Sequence, residues 1–221
     1  MTHNRDEAVN RPALSPKMYV ENGQRLFYPK DLRAGGTWFC VSEQKRLMCI
    51  MNGGFSHYES KPPYRLSRGV VLKELEAKDS LQNAVKTYDF SQIEPFYCLH
   101  FDWKNRLEIH EVIWDGTKIH LNNRAVNQPI LWSSAQSYSP EQRMFKQQQF
   151  ADFGKTLAEN KVEKIWEFHH IKSFGTNEGM QINRGFLQTT SILQFSVTDL
   201  DEEIHFHDLL KNEEMQEKII W

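Results

Sequence analysis

The sequence predicts an α+β fold in which antiparallel strands are accompanied by two or three helices. Aromatic and β-branched runs follow one another with only short polar turns between them, which is typical of antiparallel sheets. One stretch beginning at Ser139 carries the start signals of a helix. Among the 221 residues we find no internal repeat, low-complexity segment or long linker. We therefore expect a single domain over residues 1–221.

The first half of the chain is predicted to contain a strand pair followed by two helices. Residues 37–52, TWFCVSEQKRLMCIMN, form two apolar runs around a polar turn at Glu43–Arg46. Residues 67–77, SRGVVLKELEA, place three apolar side chains at helical spacing, and residues 80–88 predict a second, shorter helix.

The second half is predicted to begin with an antiparallel meander. Three runs separated by the turns KNR and DGT form the meander, and PILWSSAQSY predicts a further strand; these segments are residues 95–103, 107–116, 118–123 and 129–138.

A helix and a final strand pair complete the predicted elements. In residues 139–159 Ser139 is the predicted N-cap, Pro140 is the first helical residue, and Gln142 completes a capping box. The segments QTTSILQFSV and EEIHFHDLL then predict two strands.

Composition limits the classes of partner. A net charge of −2 gives no electrostatic reason to expect nucleic acid. No run reaches the roughly 20 apolar residues of a membrane helix, and no secretory signal is visible at the polar start. Cys40, Cys49 and Cys98 lack a CxxC spacing and indicate reduced core residues, so we expect a cytoplasmic protein. The oligomeric state stays open.

The histidines do not make a convincing metal site in the sequence. His205 and His207 alternate along a predicted strand and can supply half a site, but no third ligand is evident. The solvated face of an edge strand is the better interpretation. His169 and His170 are adjacent, and adjacent side chains on a strand diverge. We therefore expect neither a metal nor another cofactor.

Two polar motifs have both a structural and a functional interpretation. Asn52-Gly53-Gly54 ends a predicted strand, so an amide lies beside backbone that a ligand can approach closely. Local chemistry alone favours a plain turn. The cluster Asn4-Arg5-Asp6-Glu7 is by itself best explained as a solvated charge run near a terminus.

The order of several motifs changes this balance. THNRDEAVNRP, GGTW, LMCIMNGGF, SRG and WSSAQSYS follow one another along nearly the whole chain. In this the chain resembles the NRDE family, which includes the Transport and Golgi organization protein 2 homologues. The resemblance implies a four-layer αββα fold of the N-terminal-nucleophile hydrolases, in which two antiparallel sheets lie between helices.

The resemblance also implies roles for individual residues. In the choloylglycine-hydrolase-like enzymes an N-terminal cysteine attacks an amide, and an N-x-D element follows on the returning strand. Asn4 and Asp6 match that element, and Asn52 matches the oxyanion-stabilising Asn. Ser134 falls where the family has a further Asn in an S-N-A segment; its hydroxyl donates a hydrogen bond but reaches less far.

The nucleophile that the resemblance implies is not in the given sequence. Family members begin Met-Cys-Thr and continue through a hairpin into the NRDE segment, whereas here residue 1 is Met and Thr2 already belongs to the returning strand. Geometry therefore argues against Thr2 as a replacement nucleophile. We expect roughly ten to twenty further residues upstream, including a cysteine, from the usual length of a strand and its turn.

Three functional hypotheses follow. The first is an amide hydrolase or acyl transferase that acts on a small-molecule amide in the full-length form. The second is a non-catalytic binding or trafficking protein for a lipid-like or porphyrin-like ligand, and the third is a domain whose site has decayed. The catalytic hypothesis predicts that the side chains of Asp6, Asn52 and Ser134 converge within about 10 Å around one cleft.

Overall fold

A computed structural model describes residues 1–125, 129–157, 161–198 and 201–221. The chain divides into two compact units: a terminal unit, made of residues 1–15 and 144–221, and a central unit, made of residues 16–143. The single domain over residues 1–221 stays a prediction. The α+β class with large antiparallel sheets is confirmed.

The described residues form fourteen strands and four helices. In chain order they are β1 (Thr2–Ala8), β2 (Ala13–Glu21), β3 (Gln24–Asp31), β4 (Phe39–Ser42), β5 (Arg46–Asn52), α1 (Arg68–Glu76), α2 (Leu81–Thr87), β6 (Phe96–Asp102), β7 (Glu108–Trp114), β8 (Ile119–Arg124), α3 (Pro140–Gly154), α4 (Lys161–His169), β9 (Ser173–Phe174), β10 (Asn177–Glu178), β11 (Asn183–Arg184), β12 (Leu187–Val197), β13 (Glu202–Asp208) and β14 (Glu213–Lys218).

The sheet of the terminal unit has the strand order β1-β12-β13-β14, and β11 also pairs with β12. The NRDE segment forms β1, a strand within this sheet, as predicted. Its register with β12 runs from the pair Thr2↔Gln194 to the pair Ala8↔Leu187 and shifts between Arg5 and Asp6. A shift of this kind re-aims the side chains that follow it.

The position of β13 corrects one prediction. β13 pairs with β12 on one side and with β14 on the other, so it is not an edge strand. Its alternation is nevertheless as expected: Ile204 and Phe206 are buried, whereas His205 and His207 lie on the opposite face and are only partly exposed.

The sheet of the central unit is a seven-stranded meander. Its order is β2-β3-β4-β5-β6-β7-β8, so every strand lies beside its neighbour in sequence. The predicted pair in residues 37–52 corresponds to β4 and β5, and the predicted three-stranded run corresponds to β6, β7 and β8. Both predicted helices of this half are present as α1 and α2.

The segment 129–138 is not a strand, contrary to the prediction. It pairs with no strand in the described part of the chain, and residues 135–137 form a turn instead. The Ser134 hydroxyl accepts hydrogen bonds from the backbone N–H groups of Gln136 and Ser137, at 3.2 and 3.1 Å. A serine that binds backbone two and three residues ahead stabilises a turn in competition with a sheet.

The helix predicted for residues 139–159 is shorter than expected. It is α3, which ends at Gly154, and the predicted end at residues 158–159 lies outside the described part of the chain. Its capping box is confirmed, because Ser139 N–H donates to Gln142 Oε1 at 2.9 Å and Gln142 N–H donates to Ser139 Oγ at 3.3 Å. Within the described residues, no helix has both the length and the apolar character needed to cross a membrane.

Two of the sequence motifs meet in the central unit. The backbone N–H of Thr37, in GGTW, donates to the carbonyl oxygen of Gly69, in SRG, at 3.2 Å. A Cβ atom on Gly69 would lie 2.5 Å from the Thr37 carbonyl oxygen, and one on Gly36 would lie 2.5 Å from the Gly69 carbonyl carbon. Both motifs therefore need glycine because two backbones touch.

We expect Gly69→Ala to destabilise the protein by about 1–3 kcal/mol or more, because the added methyl group meets backbone that cannot turn away. Gly154→Ala is the matched control, since a Cβ there would have no described residue within 4 Å. Urea unfolding of the two variants measures the difference. Equal stability of both variants would show that the contact between the motifs does not constrain the fold.

Candidate active site

Asn4 joins β1 to the end of α4 and to the loop around Met180. Its side-chain Nδ2 donates to the backbone carbonyls of His169, at 3.1 Å, and Met180, at 2.9 Å. Its Oδ1 lies 2.7 Å from His169 Nδ1, which therefore carries the proton and donates. The whole amide is engaged in positioning, and a direct catalytic role for Asn4 stays a prediction.

His169 supports this junction as a neutral side chain. It is 6% exposed. Burial lowers the pKa of His169 to about 3, and the nearby His3 acts in the same direction. Burial therefore keeps the ring neutral, and the hydrogen bond to Asn4 selects the neutral tautomer with its proton on Nδ1.

The Asp6 carboxylate is held by a threonine of the neighbouring strand. Thr189 Oγ1 donates to Asp6 Oδ1 at 2.7 Å and accepts from the backbone N–H of Ile182 at 2.9 Å. The charge of Asp6 also acts on Lys146 of α3. Burial lowers the pKa of Lys146, while the carboxylates of Asp6 and Glu178 oppose this shift. Asp6 is thus a half-buried, oriented carboxylate with an amine nearby.

In the central unit, Asn52 and Ser134 meet directly. Asn52 is the last residue of β5, and Ser134 Oγ donates to its backbone carbonyl at 2.8 Å. The side-chain amide of Asn52 is half-buried and makes no hydrogen bond to the described residues. It is therefore available to an incoming group, whereas the Ser134 hydroxyl is already used to fix the strand end.

The two glycines after Asn52 are needed for packing. Gly53 has φ +83°, and a Cβ there would lie 3.2 Å from the backbone nitrogen of Gln136. A Cβ on Gly54 would lie 3.0 Å from the carbonyl oxygen of Trp114. The Asn-Gly-Gly motif thus makes a turn and also brings the strand end against the segment that contains Ser134.

The WSSAQSYS motif is anchored at three points. Trp132 Nε1 donates to Glu111 at 3.2 Å, Ser134 binds the end of β5, and the Gln136 side chain binds the backbone N–H and carbonyl of Tyr58, at 3.2 and 3.1 Å. These polar anchors replace the ladder of the predicted strand. They hold the segment beside Asn52.

A network of charged and polar groups that the sequence did not reveal continues from Tyr58. Its hydroxyl donates to Glu94 at 3.0 Å and accepts from Arg68 at 2.8 Å, and Arg68 pairs with Glu94 at 3.3 Å. The SRG motif, which contains Arg68, was the only feature of this network visible in the sequence. The partners of Arg68 lie too far away in the sequence to be assigned to it.

Histidines of the terminal unit form a cluster with a carboxylate. His170 Nε2 lies 3.0 Å from His207 Nδ1, which lies 3.2 Å from Glu214 Oε1. His170 follows the last residue of α4, so the assumption that it lies on a strand is wrong. The sequence showed no third ligand beside His205 and His207, whereas in the structure both His170 and Glu214 lie against His207.

A cavity of about 310 Å³ adjoins this cluster. Trp166 and His205 line it together with three carboxylate side chains and four other residues: Glu163, Glu167, Glu203, Val162, Gln194, Ser196 and Gln216. The Trp166 and His205 rings are stacked with centroids 3.7 Å apart. The acidic lining suits a polar or cationic ligand better than a fatty chain.

Comparison with solved structures identifies the class of fold. Penicillin V acylase from Agrobacterium tumefaciens aligns with a TM-score of 0.52 at 10% identity, over 99% of this chain and 82% of that one. Two variants of conjugated bile acid hydrolase from Clostridium perfringens align with a TM-score of 0.43 at 9% identity, over 99% of this chain and 93% and 92% of theirs. The alignment with penicillin V acylase shows that the chain has the N-terminal-nucleophile hydrolase fold, as predicted.

Comparison with protein families identifies the group more closely. Residues 1–196 match the family Transport and Golgi organisation 2. The chain belongs to this family, which confirms the resemblance seen in its motifs. A comparison with curated proteins gives no match.

The predicted site residues fall in both units. Asn4 and Asp6 lie on β1 of the terminal unit, whereas Asn52 and Ser134 are in contact within the central unit. The convergence of Asp6 with Asn52 and Ser134 stays a prediction.

We expect Asn4→Ala to destabilise the protein by about 1–3 kcal/mol, because two backbone carbonyls and the His169 N–H lose their partner in a partly buried place. Asn10→Ala is the control, since Asn10 is exposed and lies six residues further along the chain. Chemical unfolding at neutral pH measures both. A loss for Asn4→Ala no larger than that for Asn10→Ala would contradict the positioning role.

Proposed function

We propose that this protein, in its full-length form, is a hydrolase or acyl transferase. It uses an N-terminal cysteine of its own to cleave small-molecule linear amides. The observation that carries the proposal is Asp6. The family's tetrapeptide is built into a strand, and its carboxylate is oriented by the Thr189 hydroxyl at 2.7 Å. The fold shared with penicillin V acylase supports the reaction class and suggests an acyl amide as substrate.

The chemistry assigns one task to each group. The cysteine thiolate attacks the amide carbonyl carbon, the C–N bond breaks, and the departing amine receives the proton that the α-amino group took from the thiol. Water then cleaves the thioester, or an acceptor amine takes the acyl group. An α-amine has a pKa of about 8 and can act as base and acid near neutral pH. Asp6 orients that amine.

Asn52 is assigned to the developing oxyanion. Its side-chain amide is half-buried and makes no hydrogen bond to the described residues, so its N–H groups are available to a carbonyl oxygen that gains charge. Ser134 is assigned a positioning role, since its hydroxyl donates to the backbone of Asn52. The resemblance implies a hydrogen-bond donor at this position, and here the Ser134 hydroxyl already donates to backbone.

The described cysteines do not suit the role of nucleophile. Cys40, Cys49 and Cys98 are buried, and burial raises the pKa of each thiol. Each is a neutral thiol at physiological pH. The proposal therefore assigns the nucleophile to an N-terminal cysteine, as in the family. The three reduced thiols separately support a cytoplasmic location.

Substitution of Asp6 in the full-length protein tests the proposal and separates it from the binding hypothesis. With acyl p-nitroanilides of graded chain length, we expect Asp6→Asn to reduce turnover by about 100-fold or more, the usual cost of losing an oriented charge at a reacting centre. Binding of an uncleavable analogue should stay within a few-fold of the wild-type value, because Asp6 orients the enzyme's own amine.

Glu7→Gln is the matched control, since Glu7 is the next carboxylate on β1 and pairs with Arg11 at 2.9 Å. It should retain turnover. If Asp6→Asn hydrolyses the anilides at the rate of Glu7→Gln, the catalytic role of Asp6 is wrong. A wild-type protein that binds lipid-like or porphyrin-like ligands and cleaves none of the anilides would favour the non-catalytic alternative.

A further inference from the structure

We propose that His170, His207 and Glu214 bind a divalent transition-metal ion of the Zn²⁺ class. One ligand atom from each of the three side chains lies within 4.8 Å of the others. The inference does not depend on the amide chemistry proposed above, because neither Asp6 nor Asn52 is part of this cluster.

Two of the three distances between the ligand atoms are close to those of a tetrahedral ion. The two adjacent distances are 3.0 Å, between His170 Nε2 and His207 Nδ1, and 3.2 Å, between His207 Nδ1 and Glu214 Oε1. Zinc binds nitrogen and oxygen at about 2.0–2.2 Å, so ligands at a tetrahedral angle lie roughly 3.3–3.5 Å apart. The two measured pairs reach this spacing with shifts of a few tenths of an ångström. The third pair, His170 and Glu214, lies within 4.8 Å. The Glu214 side chain, 53% exposed, has room to close that side.

The tautomer of His170 is already the one that a metal requires. Its Nδ1 lies 2.8 Å from the backbone carbonyl of Trp166, which only accepts, so the ring proton is on Nδ1. Nε2 therefore presents a lone pair towards His207. A backbone carbonyl on the second ring nitrogen is one of the usual ways in which proteins fix a metal-binding histidine.

His207 then changes its tautomer when the ion binds. Without an ion, its Nδ1–H donates to the lone pair of His170 Nε2. With an ion, Nδ1 of His207 becomes a ligand and the proton moves to Nε2, so the His207 ring itself stays neutral.

Three separate elements supply the ligands and fix their places. His170 follows the end of α4, while His207 of β13 and Glu214 of β14 are directly opposed in the strand ladder. The rings of His170 and His207 are stacked with centroids 5.3 Å apart. An ion here would link the end of the helix to two strands, which makes binding visible as a rise in thermal stability.

The surroundings favour a cation. The second oxygen of Glu214 lies 3.5 Å from His205 Nε2, which helps to orient the carboxylate. His205 also lines the cavity whose walls include Glu163, Glu167 and Glu203, so negative charge lies beside the cluster. Three protein ligands leave a fourth position for water or another small ligand.

The ligand set also selects the class of ion. Two imidazole nitrogens and one carboxylate suit zinc and its neighbours Co²⁺ and Ni²⁺. Magnesium and calcium need six or more oxygen ligands, which this cluster does not supply. We therefore expect Mg²⁺ and Ca²⁺ at millimolar concentration neither to compete with Zn²⁺ nor to raise the melting temperature.

Titration of the untagged, chelator-treated full chain with Zn²⁺ and Co²⁺ tests the site. We expect one Zn²⁺ per chain by calorimetry, a higher melting temperature, and the intense visible absorption of tetrahedral Co²⁺. Glu214→Gln keeps the shape but removes the charge of an exposed ligand, so the variant should fold, and we expect its Zn²⁺ affinity to fall by at least about tenfold. His207→Gln should lose the Co²⁺ absorption.

His120→Gln is the matched control, because His120 is also partly exposed and lies 2.7 Å from a carboxylate, that of Asp115. This variant should bind Zn²⁺ as the wild type does. The proposal is overturned if wild-type protein takes up no Zn²⁺, or if Glu214→Gln binds it as tightly as His120→Gln. In either case the cluster is only a hydrogen-bonded contact between α4, β13 and β14.

Discussion

The pairing of β1 with β12 is the constraint on which the terminal unit depends. It joins residues 2–8 to residues 187–194, so two segments that are far apart in the sequence share one ladder. The Asn4 amide adds hydrogen bonds to the carbonyls of His169 and Met180. Because burial keeps His169 neutral, the junction is free of the charge that would oppose it. The family's tetrapeptide is therefore structural as well as a candidate for chemistry.

Backbone contacts play the corresponding part in the central unit. GGTW and SRG are glycine-containing because Thr37 and Gly69 lie against each other, and Gly53 and Gly54 allow the end of β5 to approach its neighbours. Ser134 then binds the carbonyl of Asn52. Motifs that mark the family along the sequence are thus explained largely by packing, which leaves Asp6 and the Asn52 side chain as the groups that packing does not fully explain.

The sequence was informative where periodicity and turn signals agree. The strands β4 to β8 follow from alternating apolar runs with short turns, and the start of α3 follows from Ser139 and Gln142. Residues 129–138 have the composition of a strand, but serine and glutamine side chains bind the backbone there and make a turn. The strands β2 and β3 were not predicted, since many polar residues interrupt their alternation.

The histidine cluster shows a second limit of sequence reasoning. Residues 161–169 form a helix, and its end brings His170 to His207 across 37 positions. Glu214 joins because the register of β13 and β14 opposes it to His207. Neither relation has a local signal. The resemblance to the family, by contrast, predicts that the side chains of Asp6, Asn52 and Ser134 share one cleft. The structure shows that the Ser134 hydroxyl donates to the backbone carbonyl of Asn52, and the shared cleft stays a prediction.

The central claim is that Asp6 serves an N-terminal cysteine. Mass spectrometry of the endogenous protein after alkylation with iodoacetamide tests it most directly. The account predicts an alkylated N-terminal peptide that begins with cysteine and continues into the NRDE segment. An N-terminal peptide that begins with Met1 or Thr2 and carries no alkylated cysteine would contradict it.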